Sequence, residues 1–132
     1  MRKRLLYVHE HLHNNSLDGV YTHGVNRFPR FLQNIKDGHI IVNNEPVLTG
    51  GFGAVEQWNG QSGPGILNAI FCTERATNIA EQNGIGCVAI SHTNHWMRGG
   101  TYGWKAAKKV LHLSAGQIQL PTCLHGAQRI AG

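Results

Sequence analysis

Two short stretches hold the side chains best suited to chemistry. His23-Gly24-Val25-Asn26-Arg27-Phe28-Pro29-Arg30-Phe31 sets an imidazole shortly before two guanidinium groups, and Asn94-His95-Trp96-Met97-Arg98-Gly99-Gly100 sets another before a third. An imidazole titrates near pH ~6.5 when unperturbed, so it can give up a proton near neutrality and recover it from water. A guanidinium offers a planar fork of donors that matches a carboxylate. Together these groups can hold an anionic carbonyl compound and protonate its oxygen. Each also has a purely structural use: His23 as a helix cap, Arg27 and Arg30 as a solvated face, His95 as a core imidazole bonded to backbone.

The surrounding pattern says which elements must position them. Val25, Phe28, Phe31, Leu32 and Ile35 recur at spacings of three and four, which predicts a helix. Pro29 is awkward inside it, so the helix is expected to begin near Asn26 to Phe28, with His23 just ahead and Asp37-Gly38 as the stop. The first sixteen residues, with Arg2-Lys3-Arg4 and His9-x-His11-x-His13, show no clear apolar face and predict a frayed or weakly helical start. Pro46 to Thr49 and Ala54 to Trp58 read as strands or extended arms around Gly50-Gly51-Phe52-Gly53, and Gln61 to Gly65 as a turn. Ile66 to Glu81 returns to a helical period closed by Asn83-Gly84, and Cys87 to Ile90 reads as a compact buried strand. Ser91 to Gly100 then follows the carboxyl end of a strand, where α/β folds place ligands. Gly99-Gly100 would let backbone approach a ligand closely, and Thr101 to Lys109 can form the next helix.

Composition narrows the function classes. A chain of 132 residues fits about one small domain. Residues 1 to 81 carry seven basic and seven acidic side chains, and the excess of +5 is Arg98, Lys105, Lys108, Lys109 and Arg129. These charges are sparse and lack an aromatic-glycine RNA motif, so no nucleic-acid partner is expected. No stretch approaches the roughly 20 apolar residues of a membrane span, Met1 to His13 lacks the apolar centre of a secretory signal, and the chain reads as cytoplasmic. Cys72, Cys87 and Cys123 form no Cys-x-x-Cys arrangement; they are expected to be reduced, the first two buried. The His9, His11 and His13 run lacks a nearby acidic or cysteine ligand, and no metal is assigned.

The longer motifs carry a resemblance. Tyr21 to Phe31, Gly53-Ala54-Val55-Glu56-Gln57-Trp58, and Asn94 to Trp104 closely resemble the malate/L-lactate dehydrogenase family, over about Leu17 to Lys108. The resemblance implies an α/β fold, here the incomplete N-terminal part of the malate/L-lactate dehydrogenase-like fold, which is not of the common Rossmann type. It implies a reduced nicotinamide, NADH or NADPH, giving hydride to the carbonyl of a small 2-oxo acid. His23 would supply the proton, with Arg27, His95 and Arg98 as substrate-binding residues. It leaves the cofactor-binding residues unknown and implies a homodimer in intact relatives. A small α/β module that binds a sugar-acid carboxylate without catalysis is the alternative.

After Lys109 the likeness stops, at Val110-Leu111-His112-Leu113-Ser114-Ala115-Gly116-Gln117. Allowed codons for Lys109 to Gln128, read one base earlier, can encode a stretch with the family's Cys-Trp-x-Asn-Ser pattern. Two parts are therefore expected: 1–109 as a substrate-side segment, and 110–132 as a non-family tail from a shifted reading frame. On that expectation the nicotinamide is not bound and turnover is slight or absent.

Overall fold

Leu5, Val8 and Leu12 fall at spacings of three and four, and this narrow stripe is enough to make the chain's start a full helix, α1 (Arg2–Leu17). The expected frayed start is thereby corrected. Polar histidines and asparagines fill the other faces, but Val8 and Leu12 are fully buried against Phe31, Ile40 and Ile66. The computed structural model describes residues 2–109 and 111–117. Leu12→Ala is expected to lower the free energy of unfolding by about 2–5 kcal/mol, read from urea denaturation; a loss well under about 1 kcal/mol would remove α1 from the core.

Beyond α1 the chain makes two 3-10 turns, Tyr21–His23 and Val25–Arg27, and enters α2 (Phe28–Lys36). The helix thus begins and ends where the spacing predicts. Pro29 lies in its first turn, where the missing amide costs no intrahelical bond.

β1 (Val47–Phe52) and β2 (Val55–Gly63) form an antiparallel hairpin, longer on both strands than the sequence indicates. Gly50, Gly51 and Phe52 pair with Gln57, Glu56 and Val55, so the glycine stretch belongs to the strand. Most of the expected turn at Gln61 to Gly65 likewise lies in β2, whose Gln61 and Ser62 take left-handed backbone at φ 50° and 57°.

α3 (Gly65–Asn83) crosses from β2 to β3 (Cys87–Thr93), which pairs parallel to β2. Gly84, at φ 79°, closes the helix in the left-handed region that glycine tolerates best. Arg75 on α3 forms an ion pair with Glu56 on β2, which also accepts the Trp58 indole N–H at 2.9 Å. The Arg75 hydrogen bond holds the Glu56 carboxyl below its usual range. Trp58 packs edge-on against Phe71, with ring centroids 4.6 Å apart.

The sheet order is β1-β2-β3, so β3 lies at an edge. Val88 and Ile90 are half-buried while Cys87 and Ala89 are exposed. This corrects the expectation of a buried strand and of a buried Cys87. Cys72 is half-buried on α3, where burial pushes its thiol up to about 11. Both of these cysteines are free; Cys123 lies outside the described residues. α4 (Gly100–Ala107) follows, and its Trp104 is 67% exposed. No helix among the described residues is long and apolar enough to cross a membrane.

Candidate active site

β2 and β3 run in the same direction, so their carboxyl ends lie together. Asn68 on α3, fully buried, ties them there: its Nδ2 donates to Thr93 Oγ1 at 2.7 Å and to the Gly60 carbonyl at 3.3 Å. Pro64-Gly65 and Asn94-His95 meet at this end so closely that a Cβ on Gly65 would stand 2.0 Å from the Asn94 carbonyl oxygen. The loop after β3 therefore begins against the N-terminus of α3.

Local hydrogen bonds fix the ring of His95 in that loop. The His95 amide donates to Asn94 Oδ1 at 2.8 Å, and the Met97 amide donates to His95 Nδ1 at 2.8 Å. The second bond is made while Met97 holds left-handed backbone, φ 68°, a conformation that costs a non-glycine residue about 1 kcal/mol or more. Nδ1 can accept only when it carries no proton, so the neutral ring has its proton on Nε2. The loop is held from below by Tyr102, 1% exposed, whose hydroxyl donates to the Trp96 carbonyl and whose ring stacks on Trp96 at 5.5 Å.

His23 comes from the other side, as the last residue of the first 3-10 turn. Gly19, at φ 78°, reverses the chain after α1. The turn packs so tightly on α1 that a Cβ on Gly24 would lie 2.1 Å from Ser16 Oγ, which accepts the Val25 amide at 2.9 Å. Thr22 Oγ1 bonds His23 Nδ1 at 3.1 Å, and Arg27 Nε donates to the Thr22 carbonyl at 2.7 Å.

The rings of His23 and His95 stack with centroids 5.5 Å apart and planes inclined by 27°. Burial holds His95 below the ordinary imidazole range, and the nearby His23 and Arg27 charges push it the same way. The sequence-predicted His23, Arg27 and His95 are thus brought together. Arg98 is placed apart from them in one respect: its guanidinium is ion-paired with Asp18, just beyond α1.

Sequence reasoning missed the residues of α1 that support this cluster, Asn15 and Ser16. Leu5, Val8 and Leu12 were the signal that a helix ran beneath them. His9 and His13 stack along α1 at 6.4 Å, whereas His11 turns to stack on Tyr102 at 5.9 Å. Among the described residues, no group of three or more His, Cys, Asp or Glu is arranged to hold a metal.

Comparison with known proteins supplies the context. The sequence profile described as malate/L-lactate dehydrogenase matches residues 4–117. The chain is 52% identical over 91 residues to 2,3-diketo-L-gulonate reductase of Escherichia coli K12, an alignment covering 69% of this chain and 27% of that protein. Its fold is similar to malate dehydrogenase from Entamoeba histolytica, with a TM-score of 0.74 and 27% identity over 77% of this chain and 28% of that one. It is also similar to sulfolactate dehydrogenase from Methanocaldococcus jannaschii, with a TM-score of 0.70 and 27% identity over 72% of this chain and 28% of that one. The chain thus spans little more than a quarter of the length of these relatives.

Proposed function

The chain belongs to the malate/L-lactate dehydrogenase family, and from that membership we propose that His23, Arg27 and His95 form the substrate side of a site that reduces the carbonyl of a small 2-oxo acid. The observation that carries this reading is the 5.5 Å stack of His23 on His95, with the Arg27 charge close enough to act on it. The Arg27 Nε is committed to the Thr22 carbonyl, which leaves its terminal nitrogens to fork onto a carboxylate. His95, neutral with its proton on Nε2, is a hydrogen-bond donor to the carbonyl oxygen. His23 is the proton donor to that oxygen as it gains charge. Arg98, the fourth residue expected to bind substrate, has its charge engaged by Asp18, so no direct contact with the acid is assigned to it.

The family's reaction also requires a nicotinamide, which supplies hydride when bound. One natural place for its pyrophosphate does not fit. The N-terminus of α3, a natural place for a pyrophosphate, is closed by the carbonyls of Asn94 and His95, 2.0 and 2.4 Å from a Cβ position on Gly65. The hydride step is therefore assigned to none of these residues. In this reading the partner is a small 2-oxo acid, such as the 2,3-diketo-L-gulonate named for the Escherichia coli relative; nucleic acid and membrane have no part in it. In the same reading residues 1–109 are the substrate-side segment and 110–132 a tail from a shifted reading frame, although the family profile runs on to residue 117; sequencing the gene beyond the Lys109 codon checks the division. Val110 and 118–132 are outside the described residues.

Titrating the purified, histidine-labelled chain with pyruvate and with 2,3-diketo-L-gulonate tests the site directly. The imidazole resonances of His23 and His95 should both move, and Arg27→Ala should weaken binding by about tenfold or more, as loss of a charge-assisted fork does. If neither ring responds to either acid, or Arg27→Ala binds as the parent does, the reading is wrong.

A further inference from the structure

Asn15 lies in neither chemistry-bearing motif, yet its side chain touches the segments that carry both. It is 1% exposed; its Nδ2 donates to the His23 carbonyl at 3.0 Å, and its Oδ1 accepts from Thr101 Oγ1 at 3.2 Å. Thr101 lies in the first turn of α4, directly after the loop that holds His95. Ending α1 does not require this side chain, because the backbone carbonyl of Asn15 already takes the Val20 amide at 2.9 Å. A second link runs parallel to it, the Asp18–Arg98 ion pair, which joins the same two parts of the chain from the solvent side.

We propose that Asn15 is a positioning residue whose carboxamide, with the Asp18–Arg98 pair as an outer link, sets the separation of the His23 and His95 rings. The carboxamide is the group that suits the place. It donates to one neighbour and accepts from the other, whereas a carboxylate would face the His23 carbonyl with a second acceptor and an apolar residue would strand both partners. The functional meaning of the spacing rests on the reading of His23 and His95 as the two groups that meet a carbonyl oxygen. The spacing itself does not.

The charged groups that act on His95 are His23, on the turn across from it, and Arg27. Substituting Asn15 leaves the burial of His95 largely in place but lets these charges drift. In Asn15→Ala, followed by NMR of the imidazole nitrogens, the titration midpoint of His95 should rise toward the ordinary imidazole range, and pyruvate should bind about tenfold more weakly. Thr101→Val removes one of the two hydrogen bonds and keeps Asn15, so it reports on the same link should Asn15→Ala not fold. It should move the midpoint in the same direction by less.

A merely structural Asn15 would lower the melting temperature and leave the His95 midpoint unchanged in every variant that folds, which overturns the proposal. A midpoint that moves, in a chain whose rings ignore pyruvate, upholds the positioning role and removes the substrate reading instead. Pyruvate binding to the parent together with an unmoved midpoint does the reverse.

Discussion

Gly65→Ala is expected to destabilise the protein by about 3–5 kcal/mol, or to prevent its folding. The added Cβ would meet the carbonyl oxygens of Asn94 and His95 at 2.0 and 2.4 Å. Those atoms are backbone, so neither can swing aside as the end of a side chain would. Relief has to come from lifting the His95 loop off the start of α3, and this would separate the stacked imidazoles. Urea denaturation gives the loss of stability, and the His95 resonance gives the displacement. Gly103→Ala is the matched control. It lies in α4 with nothing within 4 Å of its Cβ position, and should gain about 0.5–1 kcal/mol from helix propensity. A Gly65→Ala protein as stable as the parent would mean that the His95 loop does not pack against the start of α3.

Acidification is expected to weaken the fold through two imidazoles. Burial lowers His11, helped by the Lys105 charge, and burial lowers His95, helped by His23 and Arg27. In both cases the unfolded chain binds the proton more readily than the folded one. The associated stability is therefore fully present above the unfolded value, near pH ~6.5, and is lost as pH falls below it toward the folded values. The slope approaches ~1.4 kcal/mol per pH unit for each proton taken up on unfolding. His11→Phe keeps an aromatic ring against Tyr102 and removes a buried Nε2 that has no protein partner. It should flatten the acid limb and raise stability by about 1 kcal/mol or more at neutral pH. Urea titrations at a series of pH values measure both effects; stability that rises on acidification would contradict the assignment.

The parts of the site written in local pattern were legible. The helix after His23, its stop at Asp37-Gly38, and the closure of α3 at Gly84 follow from spacing and from the φ each stop requires. Other features depend on partners distant in the chain. Gly50-Gly51-Phe52 looks like a break until Gln57-Glu56-Val55 lies beside it. The apolar string Cys87 to Ile90 looks buried, but whether a strand is covered is decided by what packs on it, and β3 lies at the sheet edge. His23 and His95 stood out by residue type, whereas Asn15 could not. Its role comes from a backbone carbonyl and a hydroxyl that the fold brings to it, and nothing in the neighbouring residues announces either.

The two stacked rings have a kinetic consequence. They belong to segments more than half the chain apart in sequence, and the bonds that join those segments, Asn15 to Thr101 and Asp18 to Arg98, span 86 and 80 residues. Closing so large a loop costs entropy before any contact repays it, while the β2–α3–β3 crossover forms through shorter closures. Refolding should therefore consolidate the crossover first and dock α1 last. Ring-current signals from the histidine pair should then mark the final phase of recovery.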